Sequence, residues 1–479
     1  MNIPIIRRII GYVLILEALL LLAPPIAALV YHEEEGIVYV ITSAICIVCG
    51  GLLALKKPKN TVFYLKEGCV ATALSWIVLS VFGCLPFIIT GEIPNFIDAL
   101  FETASGFSTT GSTILNDIEA VSHTSLMWRS LTHWIGGMGV LVFIMAVVPL
   151  SGGSNINLMR AESPGPSVGK LVPKMKETAR LLYVIYIVFT VLEFVLLVAG
   201  KMPVFDAFCT ACGTAGTGGF AVRGDSIASY SPYVQWVVTV FMVMFGVNFN
   251  LYYFLLLRKF KRAYAIEEVK MYLAMILCGT AIVAYNTVSL FSNASDNIRT
   301  AAFQVASLTT STGFTTFDYD VFPTLSKTLF FLMMLIGSCS GSTGGGTKVS
   351  RWVIMGKAFV AEIHSYLHPK SVKRLKIDGG NLDKSLVRST SIYLFAFSLI
   401  FITSLLLVSI EGNDFTTNFS AVLATINNIG PGMNLAGPSE SYAFFTPLSK
   451  AVFIFDMLAG RLELFPFLML LTPNVWKRG

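Results

Sequence analysis

IDALFETASGFSTTGST, residues 97–113, is the stretch on which the fold turns. It begins as about ten helix-compatible residues and ends in a polar run closed by glycine, whereas a helix that crosses a bilayer needs roughly 20 apolar residues. Three later segments have the same form: FDAFCTACGTAGTGGFA (205–221), RTAAFQVASLTTSTGFT (299–315) and NFSAVLATINNIGPGMN (418–434). Aligned on a glycine, Thr109-Thr110-Gly111 faces Thr217-Gly218-Gly219, Ser311-Thr312-Gly313 and Asn428-Ile429-Gly430. The first two align without a gap from Asp98 and Asp206 onward, although the adjacent Gly218 and Gly219 leave the register of the second copy open by one residue. Each segment lies between two apolar runs. A helix–re-entrant loop–helix unit used four times in one orientation implies four quarters around an axis normal to the membrane.

Composition agrees with a membrane protein. Of 479 residues, 54% are hydrophobic and 13% charged, where a soluble domain carries about 25% charge. Apolar runs predict ten spans, near 9–30, 37–55, 69–90, 126–150, 179–200, 233–257, 269–291, 327–350, 390–410 and 447–472. Arg7 and Arg8 precede the first run without a small-residue cleavage site, so it reads as a retained span rather than a signal peptide. Basic loops around Lys56–Lys66, Lys170–Lys176, Arg258–Arg262 and Lys370–Lys384 share one face with both termini. By the positive-inside rule that face is cytoplasmic. The fold class expected is an all-α membrane protein: four tandem helix–pore-loop–helix repeats around one pseudo-fourfold pore, plus two extra N-terminal transmembrane helices. The boundaries are 1–60 for the N-terminal pair, then 61–158, 159–263, 264–375 (its second helix broken) and 376–479 for the four repeats.

Irregular backbone at membrane depth is tolerated only where it is buried or lines a wet cavity. Four such segments meeting on an axis would form a cage of main-chain carbonyls, the means by which potassium filters replace an ion's hydration shell. Glycine supplies the dihedrals that aim successive carbonyls inward. Thr109, Thr217 and Ser311 would add hydroxyls, and Asp98, Asp206 and Asp414 would draw cations to the outer mouth. One copy alone could be a glycine turn in an outer loop; four matched copies argue against that.

Six longer motifs resemble TrkH and TrkG, the membrane subunits of bacterial Trk potassium uptake systems: HWIGGMGVLVFIMAVVPL (133–150), RAESPGP (160–166), KLVPKMKETAR (170–180), GSCSGSTGGGTKV (337–349), NNIGPG (427–432) and GRLELF (460–465). The resemblance spans essentially the whole chain. It implies a homodimer of single-pore subunits in the bacterial inner membrane. It also implies a cytosolic TrkA-like ring that binds nucleotide and regulates gating, so that this chain itself holds no cofactor beyond K+. The family's K+ filter carries over onto Thr109, Thr110, Gly111, Thr217, Gly218, Gly219, Ser311, Thr312, Gly313, Asn428, Ile429 and Gly430. Uptake would be passive or driven by sodium or protons.

Two further features lie below the filter. Gly337–Gly346 packs five glycines into ten residues, each costing a helix about 1 kcal/mol relative to alanine, so the eighth span should break there. The stretch Gly341, Ser342, Thr343, Gly344, Gly345 and Gly346 matches the family's intramembrane gating loop; a close-packed helix face is the alternative. A phosphate loop is ruled out because Lys348 is misplaced and no strand precedes it. Arg461 falls near the bilayer centre, where a charge reads as functional. In the family the matching arginine is an electrostatic barrier in the pore; a pair with Asp456 or Glu463 is the alternative.

Elsewhere the signals are weaker. Glu17 and Glu193 fall within spans, Glu193 with no evident partner. The eight cysteines read as small packing residues and His364/His368 as a solvated face. The basic loops would meet anionic lipid or the ring, and nothing points to nucleic acid. No H-E-x-x-H, G-x-S-x-G or aspartate cluster suggests an enzyme. A secondary transporter of another small cation or solute is the alternative function, but it predicts an inverted repeat.

Overall fold

The long apolar runs become helices, and among the residues described by the computed structural model (1–56, 64–139, 175–369 and 375–476) the sole sheet is a two-residue hairpin, Lys376–Ile377 with Gly380–Asn381. The second half of the span expected at 126–150, RAESPGP and residues 170–174 of the basic stretch lie outside the described residues.

Ile3–Leu20 crosses Gly36–Ala54 at a small-residue contact. A Cβ on Gly11 would sit 2.6 Å from the Gly50 carbonyl, and one on Gly50 2.8 Å from the Gly11 carbonyl, so glycine is what lets the two backbones approach. Ser43 donates to the Ala18 carbonyl at 2.7 Å, and Tyr39 bonds Ser125 at 2.8 Å, fastening this pair to the helix His123–Met138.

One succession then occurs four times: a long helix, a short buried helix, an extended loop and a second helix. The members are Leu65–Gly83, Phe96–Phe107 and His123–Met138; Met175–Ala199, Val204–Gly216 and Pro232–Gly246; Glu267–Asn286, Ala294–Thr309 and Thr324–Ile336; Lys384–Val408, Phe415–Ile426 and Pro447–Arg461. The long helices present Leu277, Tyr285, Phe395 and Leu406 outward, each at least 66% exposed. An apolar face of that extent is covered by lipid rather than water. The short helices are interior. In Val204–Gly216 the small residues Ala207, Cys209, Ala211, Cys212, Gly213 and Ala215 are all buried, and small size there lets neighbouring backbones close in.

The expectation of ten continuous spans is corrected. Among the described residues six helices are long and apolar enough to cross, or seven if the bent pair Pro232–Gly246 and Asn250–Leu256, turned by 94°, counts as one. The shortfall lies in the four second helices, which end at Met138, Gly246, Ile336 and Arg461, the first of them in a span described only as far as Gly139. Left-handed residues follow three of these ends: Gly139 (φ +77°), Gly337 (φ +74°) and Glu463–Leu464 (φ +61° and +62°). A right-handed helix cannot continue through such dihedrals. The break foreseen from the glycines of 337–346 is therefore one of several.

Candidate functional site

Each short helix ends in the same hydrogen-bonded cap. Thr109, Thr217, Ser311 and Asn428 have φ of +57°, +54°, +57° and +54°. The next residue's amide (Thr110, Gly218, Thr312, Ile429) donates five residues back to Ser105, Gly213, Ser307 and Ala424 at 2.8–2.9 Å. This is the 6→1 bond of a Schellman cap, made here without glycine at the left-handed position. A non-glycine residue held there costs on the order of 1–3 kcal/mol and persists where the surroundings enforce it.

Two residues on, Gly111, Gly219, Gly313 and Gly430 are again left-handed, with φ of +84°, +76°, +82° and +100°. The residue between is not. Gly219, not Gly218, is therefore the counterpart of Gly111, which fixes the second copy's register. Gly218 has a separate reason to be glycine: a Cβ there would collide with the His133 ring. His133 accepts the Phe220 amide at its Nε2 (3.2 Å), so its Nδ1 carries the proton and donates to the Gly106 carbonyl (2.9 Å).

The four loops close on one another in chain order. A Cβ on Gly111 would collide with the Gly218 carbonyl, on Gly219 with that of Thr312, on Gly313 with that of Ile429, and on Gly430 with that of Thr110. Each glycine thus abuts the carbonyl just ahead of the next copy's glycine, and the fourth returns to the first. Side chains brace the loops. Asn428 donates to Thr110 Oγ1 at 2.9 Å, and Ser112 and Tyr442 donate to the Gly430 carbonyl at 2.9 and 3.0 Å. The Thr109 hydroxyl is buried and has no hydrogen-bond partner among the described residues. Thr217 and Ser311 instead donate to the carbonyls of Gly216 and Thr310 at 2.6 Å.

The ring lies between two openings. On one side, a vestibule is lined by all four glycines. On the other side, a cavity is lined by Gly341, Ser342, Gly344–Gly346, Lys348, Asn428 and Arg461. The glycine-rich loop is pressed against the underside of the ring. The Gly345 amide donates to the Ser311 hydroxyl, and a Cβ on Gly344 would lie 2.7 Å from the Thr310 carbonyl. Arg461 reaches across the cavity to three main-chain carbonyls: Thr343 of the loop at 2.8 Å, Gly136 at 2.5 Å and Gly137 at 2.8 Å. Asp456 and Glu463, the acids offered as its partners, are held by Ser404 and Arg351.

At the outer face the acid expectation needs correction. Asp98 pairs with Lys450 at 2.7 Å, and Asp206 accepts from Tyr230 at 2.7 Å with Arg223 at 3.8 Å. Their charge is locally answered, and their place in the first turn of a short helix suits an acid there. Asp414 caps the fourth short helix through Thr417. The Thr417 hydroxyl holds the Asp414 carboxyl below the usual aspartate range.

Several residues of this centre escaped sequence reasoning. Glu102 and Arg129 form an ion pair at 2.7 Å with side chains at most 2% exposed, and Glu102 also accepts from Thr113 and the Ile114 amide at 3.0 Å. Buried Lys348 donates to the Gly344 carbonyl. Buried Glu268, over 70 residues before the loop, accepts from Ser340 and Ser350. An acid in the middle or first turn of a helix and a base near the start of a span are ordinary in sequence. Only the long-range contact reveals them.

These features define a multi-pass helical membrane protein with a closed ring of main-chain carbonyls between two openings. The comparisons give that class a family. The family model described as "TrkH: Cation transport protein" matches residues 35–478. The Trk system potassium uptake protein TrkH of Salmonella typhimurium is 34% identical over 98% of this chain and 99% of its own. TrkG of Escherichia coli K12 is 30% identical over 99% of both chains. The crystal structure of the potassium transporter TrkH from Vibrio parahaemolyticus superposes with a TM-score of 0.89 at 28% identity over the full length of both chains. The chain belongs to the TrkH family of cation transport proteins; it is a transport protein and not an enzyme.

Proposed function

We propose that this chain takes up potassium across the bacterial inner membrane through the ring formed by Thr109–Gly111, Thr217–Gly219, Ser311–Gly313 and Asn428–Gly430. The observation that carries the reading is the closed order of the four glycines, each against the next copy's carbonyl. A chain folded for another purpose has no need of four left-handed glycines paired with four left-handed Thr, Ser or Asn residues. A dehydrated potassium ion needs such a cage of oxygens, and the unpartnered Thr109 hydroxyl adds one more. The relatives' names supply the ion.

In this reading the four quarters are 61–158, 159–263, 264–375 and 376–479, with 1–60 as an added pair of helices. The loop Gly341–Gly346 is the gate. Its contacts beneath the ring put it in the ion's way. Arg461 places a positive charge in the inner cavity and tethers that gate through Thr343. A homodimer with both termini cytoplasmic would carry a TrkA-like nucleotide-binding ring on its basic cytoplasmic loops, beside anionic lipid; K+ is the one ion this chain itself must hold.

Complementation tests the proposal. In a bacterium lacking potassium uptake, this chain with its ring subunit should restore growth at low external potassium, and Gly313→Ala should not. Failure of the unaltered chain, present in the membrane at normal level, overturns the reading.

A further inference from the structure

The Gly341–Gly346 loop is held at its base by a single carboxylate. Glu268, 5% exposed, sits in the first turn of Glu267–Asn286. It accepts the Ser340 amide and, at 2.8 Å, the Ser340 hydroxyl, just before the loop. It also accepts the Ser350 amide at 3.1 Å, just after the loop, in the first turn of Val349–Leu367, and the Asn248 side-chain amide at 3.3 Å. Asn248 belongs to the 94° break in the second quarter, and the adjacent Phe249 amide donates to the Gly341 carbonyl at 3.0 Å. One buried acid therefore joins both ends of the loop to the second quarter's break.

Beside this carboxylate is a partly open cavity, separate from the one beneath the ring, lined by Asn248, Arg262, Glu268, Ser340, Ser350 and Ile354. It provides room on the far side of the loop's base. Glu268's neighbour Glu267 pairs with Lys357 of Val349–Leu367, and the Glu267 amide donates to Asp378 of the hairpin at 2.8 Å. The start of the Glu267 helix is thus fixed to the cytoplasmic elements on either side.

We infer that Glu268 is the latch of the gate: a positioning residue that keeps the loop beneath the ring by clamping Ser340 and Ser350, and whose release lets the loop swing toward the adjoining cavity. The inference rests on the reading of 341–346 as a gate. Hydrogen bonds to a charged group are stronger than those between neutral groups, and several converge here. Weakening them should shift the loop's closed-to-open ratio on the order of tenfold or more.

The test uses the full-length protein in liposomes of phosphatidylethanolamine and phosphatidylglycerol, without any ring subunit. Rubidium influx is measured together with maleimide labelling of Cys339, which is fully buried beside Ser340. Glu268→Gln should raise influx on the order of tenfold and expose Cys339, and Glu268→Asp should fall between it and the unaltered protein. Deletion of Ser342–Gly345 is the control. If the deletion raises influx while Glu268→Gln leaves influx and labelling unchanged, or lowers influx in folded protein, the latch is overturned and the gate stands. If the deletion leaves influx unchanged, the gate reading itself fails and the latch with it. Should Glu268→Gln not fold, Ser340→Ala and Asn248→Ala decide: a several-fold rise supports the latch, and no rise overturns it.

Discussion

At the residue scale, Gly218 and Gly219 look interchangeable in sequence, yet they answer different demands. Gly219 meets a left-handed dihedral and the Thr312 carbonyl; Gly218 meets the His133 ring. Gly219→Ala sets a side chain against backbone that cannot yield, so potassium uptake should fall on the order of tenfold to a hundredfold in protein that reaches the membrane normally. The ring glycines were legible because the dihedral they serve selects their type. The Glu102–Arg129 pair was not, since nothing local to Glu102 distinguishes it from a solvated acid and its partner lies 27 residues on. Breaking a buried pair leaves an uncompensated charge, worth about 3–5 kcal/mol. Glu102→Gln should lower unfolding stability in detergent by that order, and an effect under 1 kcal/mol would show that Arg129 finds another partner.

At the element scale, the short helices and their loops followed from apolar patterning and glycine spacing. The second helices did not. Their sequences read as continuous apolar runs, yet the described helices end at Met138, Gly246 and Arg461. A Cβ on Gly460, at the last of these ends, would collide with the Ile426 carbonyl. The loop Gly341–Gly346 and Arg461 meet at one hydrogen bond, so they should act together. Arg461→Ala and deletion of Ser342–Gly345 should each raise rubidium leak, and the double variant should raise it by less than the two effects combined. A fully additive result would separate barrier from gate.

The fourth short helix carries a pH dependence at its outer end. Asp414 caps it as the carboxylate, with its pKa held below the ordinary value near 4 by Thr417. The cap's contribution is therefore complete above about pH 4 and is lost as the pH falls through the lowered value. Melting of the unaltered protein and of Asp414→Asn should differ by a constant amount from pH 5 to 8, and that gap should close in acid. A gap that widened on acidification would assign the cap the wrong protonation state.

For the whole molecule, the helical membrane class could be read because it is written in long apolar runs, and a membrane leaves backbone few other ways to be satisfied. The cyclic order of the quarters could not. It depends on which carbonyl each glycine faces across the axis, a relation between residues some 95 to 320 positions apart. The N-terminal pair illustrates the same limit. Its apolar runs announced two helices, but its attachment through Tyr39 to Ser125 had no local mark.

A ring that conducts potassium in this way must bind a dehydrated potassium ion. Crystals of the full chain grown in rubidium, with anomalous diffraction recorded at the rubidium edge, test it most directly. Rubidium should lie on the axis, coordinated by the main-chain carbonyls of Thr110, Gly218, Thr312 and Ile429, and should be lost in Gly219→Ala. Rubidium bound elsewhere, with the ring empty in protein that still transports, would contradict it.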